Sequence, residues 1–355
     1  MVRVLVLGHS IAHYRQRALW EYIASKGNSV LCLCMPSYAG EVYEPIKKGS
    51  YELALVQPYT SKTQNFWFFP QLPDFVHEFK PDVIFCMQEP NTYCAYHAMT
   101  VAKLFNIPFV FFTWENIRKS YPSPWRAMES NVIKEADVAV GGNNDAMMIL
   151  MEKGAKEAVL LPQTGIDSSL FVPSPPSGNS NKKKILFVGR LVKEKGILTI
   201  LDAFDRLDDS FELKIVGGRG DLEPKIVSHP EFGKRITIEN WIDYERMPQI
   251  YNAADIVVAP SIDTNMWREQ MLYTAGEALL CFKPIITTAS KSISEIWGSA
   301  PGVSFMNQND TDSLITLLTS EKTYSNAKNG RKWVEENYSI EKVGNDYIEL
   351  LELIA

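Results

Sequence analysis

Cysteine is scarce in this chain: Cys32, Cys34, Cys86, Cys94 and Cys281 are an odd five in 355 residues, without a short repeated spacing. That excludes a disulfide framework and reads as reduced thiols, hence a cytoplasmic setting. Cys32 and Cys34 alternate on an apolar run, so they share one face of a strand, and no further ligands nearby make them a metal site. Long apolar runs are also missing. No stretch of 18 apolar residues occurs, and Met1–Gly8 is too short for a signal peptide or a span, so membrane contact is expected only as peripheral attachment at the inner face. A basic excess is missing too: 36 Lys and Arg stand against 42 Asp and Glu, a formal net charge of −6 that speaks against a nucleic-acid partner. No short-period repeat is present, which excludes a solenoid.

What is there suits two cores rather than one. Residues 1–165 carry 15 basic and 15 acidic side chains, so the whole deficit lies in 166–355. Apolar runs near 2–7, 29–34, 82–86, 107–112 and 137–140 alternate with helical patterns near 14–26, 71–79, 92–105 and 126–135. This predicts a parallel sheet covered on both faces. Residues 173–184 are polar and Pro-rich and read as a linker. The pattern then restarts, with strands at 185–188, 212–216, 236–239, 255–258 and 284–287 and a helix at 196–207. The expectation is an N-terminal domain over 1–172, a linker over 173–184 and a C-terminal domain over 185–334, with a final helical segment, 335–355, packing back on the first domain. Both domains are expected to be Rossmann-like and doubly wound, facing a central cleft, because such sheets bind ligands beyond the carboxyl ends of their strands.

Two segments carry the chemistry. In Phe187-Val188-Gly189-Arg190-Leu191-Val192-Lys193-Glu194-Lys195-Gly196 a strand ends at a glycine, an arginine follows, and a lysine sits five residues on, before a helix. Arginine binds phosphate oxygens bidentately and lysine acts as a point charge, so the pair suits a diphosphate; taken alone, it also reads as two solvated surface cations. The second segment, Arg268-Glu269-Gln270-Met271-Leu272-Tyr273-Thr274-Ala275-Gly276-Glu277, follows a strand ending at Pro260. Glu269 is expected at a loop–helix junction and Glu277 two turns inside, with the amides of Met271 and Leu272 free for an anion. Carboxylates there accept hydrogen bonds from sugar or ribose hydroxyls; the spacing by itself also fits a solvated helix face.

Together and in this order, the segments resemble the retaining glycosyltransferases of family 4, which have the GT-B fold. Pro162–Phe171, Ala253–Ser261 and Lys283–Ala289 resemble further stretches of that family, and the likeness is strong over about 135–310 and looser before it. The resemblance implies that Arg190 and Lys195 neutralise the diphosphate of a nucleotide sugar, such as a UDP- or GDP-sugar, as it leaves. It implies that Glu269 contacts the donor sugar, Glu277 the ribose, Trp241 the base, and that Gly189 and Gly218 line the nucleotide pocket. The cation pair substitutes for a metal, so no metal and no cofactor is expected; a metal-dependent enzyme would call for an Asp-x-Asp pair in a loop. The acceptor hydroxyl, on a glycan, a lipid-linked or a small-molecule acceptor, attacks from the face the diphosphate leaves, and the leaving phosphate takes the proton.

The N-terminal half departs from the family pattern. Its first strand runs into Gly8-His9-Ser10 with a single glycine, and Phe112-Thr113-Trp114-Glu115 stands where a histidine is common. Glu89, in Gln88-Glu89-Pro90, and Glu115 are both expected at strand ends, either orienting the acceptor or serving as caps; His9 is a further candidate for the acceptor side. Ala289–Glu295 keeps a glutamate but not the paired glycines before it. Phe66-Trp67-Phe68-Phe69 reads as core or as a greeting for a lipid-linked acceptor. Rival functions are a nucleotide-sugar epimerase or hydrolase of the same fold and a non-catalytic nucleotide-sugar-binding protein. A nicotinamide dehydrogenase is disfavoured, because Gly8-His9-Ser10-Ile11 does not supply its glycine fingerprint.

Overall fold

A computed structural model describes residues 1–38, 40–60, 66–175, 182–218 and 220–355. The chain divides into two units, Met1–Gly165 with Ile340–Ala355, and Ile166–Ser339.

In unit 1 the strands are β1 (Arg3–Leu7), β2 (Ser29–Cys34), the ribbon β3 (Ser37–Tyr38) with β4 (Glu41–Val42), β5 (Ile46–Lys48), β6 (Tyr51–Leu55), the ribbon β7 (Tyr59–Thr60) with β8 (Trp67–Phe68), β9 (Val83–Cys86), β10 (Phe109–Thr113), β11 (Val138–Gly141) and β12 (Ala158–Leu160). The helices are α1 (Tyr14–Ser25), α2 (Leu72–Phe79), α3 (Tyr93–Phe105), α4 (Trp125–Glu135) and α5 (Asn144–Glu152). Eight strands form one sheet in the order β12-β11-β10-β9-β1-β2-β6-β5, parallel except for the β5–β6 pair. Strand alternation sends Val4 and Val6 to one face, against Trp20 and Ile23, and Leu5 and Leu7 to the other, against Val76 and Ala98, so both faces are buried. The strands and helices read from the sequence are present with bounds shifted by a few residues. Over 37–68 the sequence pattern predicts no strand. There β6 adds to the sheet through Leu31↔Glu52 and its neighbours, its burial falling on alternate residues rather than as a continuous apolar run.

In unit 2 the strands β13 (Lys183–Val188), β14 (Phe211–Val216), β15 (Ile236–Glu239), β16 (Ile256–Ala259), β17 (Ile285–Thr288) and β18 (Val303–Met306) form a wholly parallel sheet in the order β15-β14-β13-β16-β17-β18. Its helices are α6 (Ile197–Phe204), α7 (Glu223–Val227), α8 (Met247–Asn252), α9 (Tyr273–Leu280), α10 (Lys291–Trp297), α11 (Thr311–Thr319) and α12 (Ala327–Tyr338). β13 begins at Lys183, inside the stretch read as a linker, and residues 176–181 of that stretch lie outside the described residues. The first residue of this unit, Ile166, bridges to its last, Ser339. The closing helix α13 (Ile340–Ile354) belongs to unit 1, where Tyr347 packs against Trp20 and Phe85.

Each sheet has one place where strand order reverses: β1/β9 in unit 1 and β13/β16 in unit 2. Connections leave such neighbours in opposite directions, so a crevice opens beyond their carboxyl ends. All five cysteines are buried and free. Among the described residues no helix is long and apolar enough to cross a membrane.

Candidate active site

In unit 2 the loops after β13 and β16 are pressed together by glycine. Gly196 sits at φ +71°, and a Cβ there would lie 1.9 Å from the Pro260 carbonyl oxygen, so only glycine permits the approach. The Ile262 amide donates to the Glu194 carbonyl at 2.8 Å, fastening the same junction. Lys195, ending a 3-10 turn (Lys193–Lys195), then reaches across the crevice. Its Nζ lies 2.6 Å from Glu269 Oε2 and 4.9 Å from the centre of the Trp267 ring. Ser261 Oγ donates to the same Glu269 oxygen at 2.8 Å, and Thr288 Oγ1, at the end of β17, donates to the Ser261 carbonyl at 2.5 Å. Burial by itself pushes the Glu269 carboxyl up, but the Lys195 charge, the Lys195 and Ser261 hydrogen bonds and the Gln270 amide together hold it below the usual carboxylate range. Glu269 is therefore an anion, and Lys195 its counter-ion.

Arg190 follows Gly189 directly and is exposed at the same strand end. The Gly189 amide donates to Val216 at 3.0 Å, and a Cβ on Gly217 would strike the Gly189 carbonyl oxygen at 1.8 Å, so the loops after β13 and β14 touch backbone to backbone. Gly218 faces open space apart from Asn240, 3.9 Å from an ideal Cβ; Arg219 lies outside the described residues. Trp241, beyond β15, is 64% exposed.

Two details of the second segment differ from expectation. Helix α9 starts at Tyr273, and Leu272 caps it in the left-handed region at φ 58°, so Glu269 lies in irregular backbone four residues before the helix and Glu277 only one turn inside it. The irregular run is pinned where the buried Trp297 indole donates to the Met271 carbonyl at 2.5 Å. Among the described residues the Met271 and Leu272 amides have no hydrogen-bond partner. Glu277 is 2% exposed, and its two oxygens accept from Tyr244 Oη at 2.8 Å and Tyr251 Oη at 2.6 Å. The sequence reading passed over both tyrosines, and Ser261 and Trp267 as well; Ser261 alone had a local signal, its place directly after the strand ending at Pro260.

In unit 1 the β1/β9 crevice holds His9 and the Gln88–Glu89 pair. The Gln88 side-chain amide approaches His9 Nδ1 to 2.6–2.9 Å, and burial lowers the imidazole pKa against the raising effect of that bond. The Glu89 carboxylate accepts from Thr113 Oγ1 and, at 3.0 Å, from the Trp114 amide; burial outweighs both bonds and pushes its pKa to about 7. Gly142 makes room for Trp114, whose ring would lie 2.2 Å from a Cβ there. Glu115 is brought beside Thr113 but turned elsewhere: its Oε2 accepts from Tyr121 Oη at 2.8 Å, and Lys153 Nζ lies 3.6 Å from its Oε1 and 2.6 Å from Glu129. Glu115 thus belongs to a buried ionic cluster between β10, α4 and α5, while Glu89 directly follows Gln88, the partner of His9.

Among the described residues no group of three or more His, Cys, Asp or Glu side chains is placed to hold a metal. An Asp-x-Asp pair stands at Asp310 and Asp312. Asp310 caps α11 by accepting from the Ser313 amide at 2.9 Å, and Asp312 pairs with Arg206 at 2.7 Å, so both carboxylates serve the helix.

Residues 182–319 match the family described as Glycosyl transferases group 1. Among curated proteins, an uncharacterized glycosyltransferase of Methanocaldococcus jannaschii is 23% identical over 182 residues, 49% of this chain and 45% of that protein. The lipopolysaccharide 1,2-N-acetylglucosaminetransferase of Salmonella typhimurium is 24% identical over 185 residues, 47% of this chain and 48% of that one. The alignments thus span about half the length of the curated relatives. Solved structures match over nearly the whole chain. Sucrose-phosphate synthase from Thermosynechococcus elongatus has a TM-score of 0.74 at 18% identity, covering 99% of both chains. Anabaena HepE in complex with UDP and glucose has a TM-score of 0.73 at 15% identity, covering 99% of this chain and 100% of that one.

Proposed function

From a chain with the GT-B fold whose residues 182–319 match the group 1 glycosyl transferases, we propose a retaining glycosyltransferase that moves a sugar from a nucleoside-diphosphate sugar to an acceptor hydroxyl. One observation carries this reading: at the β13/β16 crevice a lysine from one loop and a carboxylate from the other meet at 2.6 Å, with an exposed arginine at the end of β13 and two unpartnered amides in the run after the carboxylate. A diphosphate is attracted to Arg190, Lys195 and the amides of Met271 and Leu272. Glu269 would be repelled by it; the ammonium between them offsets the repulsion and leaves the carboxylate to accept from a sugar hydroxyl. Charge grows on the bridging phosphate oxygen as the glycosidic bond breaks, and cations already in place stabilise it without reorganisation. The leaving phosphate takes the proton of the incoming hydroxyl. Trp241 stacks on the base, and unit 1 supplies the acceptor side through His9 and Glu89. The unpaired cysteines support a cytoplasmic setting for this reading.

UDP, UDP-glucose, GDP and GDP-mannose added one at a time in a thermal-shift assay test the donor site; the uridine compounds come first because the similar HepE structure holds UDP and glucose. A ligand at 100 times its dissociation constant stabilises by about 2.7 kcal/mol. No shift with any of them sinks the proposal. Nucleotide release that is independent of added acceptor would favour a hydrolase or epimerase.

A further inference from the structure

The acceptor side of unit 1 has a wall that the strand-end carboxylates do not explain. Along β8, alternate residues face opposite ways. Trp67 and Phe69 enter the core at 7% and 0% exposure, which leaves Phe66 and Phe68 on the other side, half-buried. There Phe66 stacks on Tyr93 at 4.3 Å and 25°, and Phe68 meets Tyr93 at 5.1 Å and His97 at 4.8 Å, both from the start of α3. Tyr59 of β7 packs on Phe68 at 5.4 Å and is itself 55% exposed. Trp125, opening α4, meets Phe66 edge-on at 6.5 Å. Three elements thus bring six rings together. Both helices begin at the carboxyl edge of the sheet, and the Thr92 hydroxyl that caps α3 donates to the Glu89 carbonyl at 2.8 Å. On the ribbon's core side Trp67 lies 6.2 Å from His9, so the ribbon spans the way from the β1/β9 crevice to these rings.

Four of the six rings carry a polar atom: the Tyr59 and Tyr93 hydroxyls, the His97 imidazole and the Trp125 indole. None of these atoms hydrogen-bonds to a described residue. An acyl chain wants a continuous aliphatic groove, whereas a pyranose offers an apolar C–H face bordered by hydroxyls, which is complementary to ring faces bordered by polar tips. We propose that Tyr59, Phe66, Phe68, Tyr93 and Trp125 form a stacking platform for a saccharide acceptor, whose hydroxyls meet the free tips and whose reacting end lies towards Glu89. The platform rests on the reading of unit 1 as the acceptor side.

The test is saturation-transfer NMR on the full chain with methyl α-glucopyranoside, methyl α-galactopyranoside, maltose and lactose, on the parent protein and on Tyr59→Ala and Phe66→Ala. UDP thermal shift is measured on all three, and flotation with phosphatidylglycerol–phosphatidylcholine vesicles runs alongside. The expected result is saturation of protons on one face of at least one saccharide, weakened tenfold or more in both variants while the UDP shift is unchanged. Tyr59 is exposed, so Tyr59→Ala decides the matter by itself if Phe66→Ala fails to fold. The platform is overturned if no saccharide binds at 50 mM, if binding is equal in the parent and Tyr59→Ala, or if the variants lose vesicle flotation and not sugar. Saccharide binding without any response to a nucleotide would leave these rings as a saccharide-stacking surface and remove its acceptor role together with the transferase reading.

Discussion

Lys195 and Glu269 form one contact that bears on stability and, in the proposed function, on chemistry. Both are largely buried, so removing either partner strands a charge, at a cost of about 3–5 kcal/mol. Lys195→Ala is therefore expected to lower the melting temperature of unit 2, to abolish transfer, and to weaken UDP far more than uridine in a titration; equal losses for both ligands would show that the lysine does not read phosphate. Lys195→Arg keeps the charge and should recover the melting temperature better than the rate. Glu89 makes a different prediction. Its carboxyl titrates near 7 in the folded chain against an ordinary 4.5, so between those values the folded state holds a proton that the unfolded state has shed. Stability from this group is present in full below pH 4.5 and is lost as pH rises towards 7, by on the order of 3 kcal/mol. Urea unfolding at pH 5 and pH 7.5 should show that slope in the parent and a flatter one in Glu89→Gln; identical slopes would refute it.

At the scale of elements, loops are held by backbone approach and by single multivalent side chains. Gly196→Ala must both occupy a left-handed φ and push Pro260 away, so it should separate the two sides of the β13/β16 crevice proposed to hold the donor. Loss of the UDP thermal shift, with unfolding easier by about 1–3 kcal/mol, is the expected reading. Arg331 of α12 plays the other part. Its guanidinium donates to the carbonyls of Ser168, Phe171 and Leu280 at 2.7–2.9 Å and pairs with Glu335, tying the entry segment of unit 2 to the end of α9. Arg331→Met leaves three carbonyls without that donor, at about 1–3 kcal/mol for a buried unsatisfied group. Calorimetry should show the unit 2 transition falling and the unit 1 transition unchanged.

Over the whole molecule, the chain is not two consecutive beads. Helix α13 returns to unit 1, where Val343, Tyr347, Leu350 and Leu351 are buried and the Tyr347 hydroxyl donates to the Pro162 carbonyl at 3.0 Å. Each such side chain contributes about 1.5–3 kcal/mol of burial, so their sum rivals the stability of an ordinary domain. Truncation after Ser339 should therefore unfold unit 1 and expose Trp20 to quenchers, while the unit 2 transition is unchanged. An unchanged unit 1 transition would show that the helix is dispensable.

The residues by themselves determined the two parallel sheets, because doubly buried strands must be short continuous apolar runs, and alternation with amphipathic helices leaves few other architectures. They also marked the ends of β13 and β16, where Gly189, Arg190, Lys195 and Glu269 break the apolar pattern. Tertiary structure alone decided which of these groups touch. Glu269 and Lys195 are 74 residues apart and meet because β13 and β16 are neighbours in the sheet, a pairing with no local signature. The same holds for the tyrosines that occupy Glu277, for the division of Glu89 and Glu115 between a crevice and an ionic cluster, and for six rings assembled from a ribbon and two helix starts. Periodicity is a property of neighbours along the chain, whereas a site is built by neighbours across it.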